Sequence, residues 1–124
     1  MLQRPRRNRY SESIRNLVQE NFVSVNDLIY PLFLVQGEGI KQEIHSLQGN
    51  FRWSLDLLLT EIESCVQLGL HAFILFPAIP ENLKDKTATY SYHEDNFYLK
   101  AISTIKNKFP HITLISDVAM DPYN

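Results

Sequence analysis

Ile112-Thr113-Leu114-Ile115-Ser116-Asp117-Val118-Ala119-Met120-Asp121-Pro122-Tyr123 is the stretch whose reading decides the fold. Ile112 to Val118 has the composition of a buried β-strand, and the stretch as a whole delivers two carboxylates, Asp117 and Asp121, into a loop. In a barrel or open sheet of parallel strands, chemistry is housed at the carboxyl ends of the strands. The sequence stops at Asn124, directly after those two groups. The expectation is therefore a chain cut through its own active site.

Upstream, Tyr98, Ala101, Ile102, Ile105 and Phe109 recur at helical spacing and Pro110 ends the run. His71 to Phe76 reads as another buried strand, closed by Pro77 and Pro80. Before it, Ser54 is placed to cap a helix bearing Leu55, Leu58, Leu59, Ile62, Cys65 and Val66, with Gly69 as a left-handed stop. Leu28 to Val35 is a nearly continuous apolar run suited to a strand covered on both faces, although Pro31 removes one ladder donor. The segment 36–53 reads as a long loop containing Gly37, Gly39 and Gly49. A short helix from Ser11 carries Ile14, Leu17 and Val18 on one stripe. Residues 1–10 hold Arg4, Arg6, Arg7 and Arg9, which suit a flexible arm or a contact with phosphate.

Strand, helix, strand, helix, strand implies right-handed crossovers and a parallel α/β sheet. Repeats of this size fit an open doubly wound sheet or one arc of a (β/α)8 barrel, and periodicity does not choose. Three such strands alone would leave an apolar edge exposed.

Composition narrows the class. The 124 residues are 44% hydrophobic and 21% charged, ordinary for a globular protein, with a formal net charge of -2. That balance argues against nucleic acid as a general partner, and no apolar run approaches membrane-spanning length. One cysteine, Cys65, excludes an internal disulfide framework and a multi-cysteine zinc site; its place on a helix stripe suits core packing. A reducing, cytoplasmic setting is expected. His45, His71, His93 and His111 lack metal-ligand spacing, Lys84 and Asp85 read as an ordinary solvated loop, and Gly37-Glu38-Gly39 lacks a dinucleotide fingerprint.

Taken in order, Arg4-Pro5-Arg6-Arg7, Asp27-Leu28-Ile29-Tyr30-Pro31-Leu32-Phe33 through Gly37-Glu38-Gly39, Ser54-Leu55-Asp56, Leu75-Phe76-Pro77 and Asp117-Val118-Ala119-Met120-Asp121-Pro122-Tyr123 form a specific set. From about Arg4 to Tyr123 the chain resembles the amino-terminal third of the porphobilinogen synthase (5-aminolevulinate dehydratase) family. The resemblance implies a partial (β/α)8 TIM barrel, its first three strands, with an amino-terminal arm. Residues 1–27 would be the arm and short helix, and residues 28–124 the first part of a catalytic domain, with Tyr30 and Phe76 packed in the barrel.

The implied reaction condenses two molecules of 5-aminolevulinate to porphobilinogen with loss of water, in tetrapyrrole (haem) synthesis. The implied assembly is a homo-octamer in which the arm wraps a neighbour. The substrates are held as Schiff bases on two lysines of later strands, which have no counterpart here. Asp117 matches the family's active-site aspartate, suited to orienting an amine or to proton transfer. Asp121 and Ala119 stand where one branch of the family has cysteine ligands for zinc, so the zinc cluster is absent. The resemblance is to the aspartate-type branch, associated with magnesium or monovalent cations, with Asp121 as the metal ligand.

Where the family tends toward a glycine and then a tyrosine-asparagine-proline-aspartate-glycine turn, Tyr92 and Asp95 remain, but Ala88, His93, Glu94 and Asn96 replace the usual residues. Asn124 stands where threonine or serine is commoner. Two other expectations stand beside the enzyme: a non-catalytic relic that associates with a subunit through its arm, and a small α/β ligand-binding module.

Overall fold

The structure, a computed structural model, describes residues 6–124. Arg4 and Pro5 of the arm motif lie outside the described residues. The chain runs α1 (Glu12–Leu17), β1 (Tyr30–Leu34), β2 (Lys41–Glu43), β3 (Phe51–Trp53), α2 (Leu55–Gln67), β4 (Ala72–Pro77), α3 (Phe97–Lys108) and β5 (Thr113–Ser116), joined by loops that include short 3-10 turns. The strands make one sheet in the order β2-β3-β1-β4-β5, parallel throughout except for the antiparallel β2–β3 pair.

Register explains how the core forms. Tyr30, Leu32 and Leu34 lie opposite Phe73, Leu75 and Pro77, so alternation puts all six on one face. Leu32, Leu34, Phe73 and Leu75 are buried there with Leu58 and Ile62 of α2 and Tyr98, Ala101 and Ile105 of α3. Both helices thus cover the same face, while β4 and β5 follow on one side of β1 and the β2–β3 hairpin pairs on the other. The other face carries Phe33, Ile74, Phe76 and Ile115, each half-buried, with the Phe33 and Phe76 rings stacked 5.6 Å apart.

Helix ends follow local rules. Ser54 precedes α2, and its carbonyl accepts from Leu58 N at 2.9 Å. Its buried hydroxyl does not cap the helix; it accepts from Ile40 N at 2.8 Å and pins the preceding loop. Gly69, at φ +88°, closes α2 through bonds from Gly69 N to Val66 O and Leu70 N to Cys65 O, the two bonds of a Schellman stop. Cys65 packs at the edge of the core, and burial followed by the Glu61 charge pushes its thiol pKa up.

One expectation is corrected. The segment 36–53 is not only a loop: it folds back as the β2–β3 hairpin, widening the expected three strands to five. Three-residue strands are too short to show a period, and β2 is exposed at every residue. Pro31 also finds its place. Leu34 O accepts from Ala78 N toward β4, and Val35 N donates to Trp53 O toward β3. By alternation the Pro31 nitrogen faces the β3 side, at a level below Phe33 where β3 pairing begins.

The arm lies apart from this core. No residue from Arg6 to Ile29 is buried, and Leu17, Phe22 and Val23 are 84%, 74% and 80% exposed. Among the described residues no helix is long and apolar enough to cross a membrane.

Candidate active site

The carboxyl ends of β4 and β5 lie side by side, and the loops leaving them build the site. Asp117 follows β5 immediately and is exposed. It lines an apolar cleft of about 240 Å³ with Tyr98, Leu99 and Ile102 of α3, Ser91 and Tyr92 of the loop after β4, and Met120 and Tyr123. Tyr98 is buried, and its hydroxyl donates to Leu75 O at 2.8 Å. Burial raises the phenol's pKa.

Asp121 opens the turn Asp121–Tyr123 and is exposed. It does not line the cleft that receives Asp117. The turn is fixed by Tyr123, which packs with Ile79 and Ala88 of the loop after β4. Tyr123 O accepts from Asp85 N at 3.0 Å, and its hydroxyl accepts from Asn96 Nδ2 at 3.4 Å.

Asn96 organises this junction. Fully buried, it caps α3 by accepting from Tyr98 N at 2.9 Å and Leu99 N at 3.4 Å, while Nδ2 also donates to Tyr90 O at 2.8 Å. Residues 84 and 85 are more structured than an ordinary solvated loop. Asp85 Oδ1 accepts from Thr87 N, Thr87 Oγ1 and Thr89 N at 2.8, 2.8 and 3.1 Å. The Thr87 hydroxyl first, then the two amides, hold its carboxyl down to a pKa of about 2. Ala88 adopts φ 52°, a left-handed conformation that explains why a glycine would suit this position.

Sequence reasoning placed Asp117 and Asp121 at the strand exit but missed the residues that hold them. Asn96 was readable as an N-cap before the apolar run of α3. In the sequence Tyr98 reads only as an apolar stripe position, because its hydroxyl carries no pattern.

A metal site is not complete here. Among the described residues no three His, Cys, Asp or Glu side chains converge. Asp121 offers one hard oxygen donor of the class that magnesium or a monovalent ion takes, which is short of a cage. Of the histidines, His93 stacks on Tyr90 at 6.0 Å and accepts from Asp95 N at 3.1 Å, a structural use.

Comparisons with known proteins agree on one family. Residues 2–124 match the family model described as delta-aminolevulinic acid dehydratase. The delta-aminolevulinic acid dehydratase of Chlamydia pneumoniae is 54% identical over 120 residues, covering 97% of this chain and 36% of that protein. The Bradyrhizobium diazoefficiens protein of the same name is 38% identical over 120 residues, covering 97% of this chain and 34% of that protein. Among solved structures, delta-aminolevulinic acid dehydratase (porphobilinogen synthase) from Toxoplasma gondii ME49, in complex with the reaction product porphobilinogen, superposes with a TM-score of 0.89 at 42% identity. That match covers 100% of this chain and 35% of the other. The chain therefore spans little more than a third of the proteins it matches here.

Proposed function

Because the chain belongs to the delta-aminolevulinic acid dehydratase family, we propose that it supplies the first arc of a porphobilinogen synthase barrel, which joins two 5-aminolevulinate molecules with loss of water. The observation that carries this reading is the match across residues 2–124, with Asp117 left at the carboxyl end of a parallel strand. Both helices on one face of the sheet favour a barrel arc over a doubly wound sheet, where helices flank both faces.

In this reading Asp117 works at the substrate. Exposed at the rim of an apolar cleft, its carboxylate can orient a substrate ammonium or accept a proton from it. The Schiff-base lysines that the family resemblance implies have no assigned counterpart among these 124 residues. Asp121 contributes at most one ligand to a hard cation, and no step is derived through that ion. Leu17, Phe22 and Val23, apolar and exposed, support an arm that packs on a second copy in an octameric assembly.

The test is porphobilinogen formation from 5-aminolevulinate by the full-length product of the reading frame, with and without magnesium. Turnover that falls at least 100-fold in Asp117→Asn is expected, on the scale of a lost acid-base group, about 10²–10⁴. Absence of turnover in both conditions overturns the assignment.

A further inference from the structure

The β4–β5 ladder does not end in an ordinary rung. Thr113 N donates to His71 O at 2.7 Å. Advancing two residues on each strand at a time brings Phe73 O opposite Ile115 N, and then Leu75 O opposite Asp117 N. At that last level the Leu75 carbonyl instead takes the Tyr98 hydroxyl, at 2.8 Å. Tyr98 is 3% exposed and lines the same cleft as Asp117, so its ring enters the sheet edge from α3.

We propose that the Tyr98 hydroxyl is an inserted rung, standing between Leu75 O and the Asp117 amide, and that it is the positioning residue for Asp117. This rests on the function proposed above. The hydroxyl can serve both neighbours at once, since it has one proton to give and lone pairs to accept with. Its proton is committed to Leu75 O, which leaves its lone pairs free to accept from the Asp117 N–H that the register brings to the same level. β5 is thereby stopped at Ser116, and the next residue leaves the strand at a fixed height above the cleft. A carboxylate placed this way needs little reordering to meet its substrate.

Tyr98→Phe removes the oxygen and keeps the ring. Tyr30→Phe is the control: its hydroxyl donates to Glu61 Oε1 at 3.3 Å, at the opposite end of the strands. In the full-length product of the reading frame, amide exchange at Asp117 is expected to change tenfold or more in Tyr98→Phe. It becomes faster if the amide opens to water and slower if it closes directly on Leu75 O. Thr113, bonded to His71 O, is the internal reference and stays unchanged in both variants. For turnover, kcat is expected to fall about tenfold with KM within twofold in Tyr98→Phe, the mark of a misplaced rather than a missing group. Unchanged Asp117 exchange overturns the rung, and changed exchange with unchanged kcat overturns the positioning role. If the unaltered protein makes no porphobilinogen, the proposed function fails and takes the positioning role with it, while exchange still decides the rung.

Discussion

Ala88, Asp85 and Asn96 sit within twelve residues of each other and test three different forces. Ala88 holds φ 52°, where a Cβ costs roughly 1–2 kcal/mol. Ala88→Gly relieves that strain but loosens the unfolded chain and loses a buried methyl, leaving a net gain of about 0.5 kcal/mol. Thermal unfolding checks the sign; a lower midpoint would mean that packing against Ile79 and Tyr123 outweighs the backbone. Asp85 carries a pKa of about 2, depressed from the ordinary carboxylate value of about 3.9. The ionised form is the one the folded loop favours, so its contribution is complete above about pH 4 and fades as pH falls through about 2. A carbon-13 titration of the Asp85 carboxyl that gave an ordinary midpoint would remove the Thr87 and Thr89 bonds from the account. Asn96→Ala gives up a helix cap and leaves the half-buried Tyr90 carbonyl without its donor, for a loss of roughly 2 kcal/mol by chemical denaturation.

At the level of elements, stops and ties decide more than propensity does. Gly69→Ala meets no atom within 4 Å, so its cost is the left-handed backbone alone, about 1 kcal/mol with no change in the rest of α2. Denaturation of that variant against Gly39→Ala, also left-handed and also in open space, separates a helix stop from a turn. The legible elements were those with a long period or punctuation. The thirteen residues of α2 show a full apolar stripe bounded by Ser54 and Gly69, and α3 is bounded by Asn96 and Pro110. The hairpin β2–β3 is illegible because its three-residue strands are too short for alternation. Ser54 shows the same limit in miniature. Its place before α2 could be read, whereas the use of its hydroxyl on Ile40 depends on where a loop fourteen residues away returns.

For the whole molecule, periodicity left barrel and open sheet undecided because both are made of the same units. The placement of both helices on one face is a property of three-dimensional handedness, invisible in a linear pattern. That placement leaves Phe33, Ile74, Phe76 and Ile115 covered by no helix. Residues 1–124 produced alone are expected to bind a hydrophobic dye and self-associate, and to yield no porphobilinogen. A monomer with a sharp cooperative transition would favour the independent ligand-binding module instead. The site was half legible in the same sense: two acids could be picked out at a strand exit, but the junction of Asn96, Tyr98 and Tyr123 exists only once the two loops meet.

Pro31 has a further effect on assembly of the sheet. On the flank of β1 that receives β3, it offers no donor below Phe33, so the incoming hairpin cannot slide down the strand and dock one or two residues early. The ring acts as a doorstop: it costs the finished sheet nothing, and it denies the folding chain a misaligned resting place from which it would have to escape.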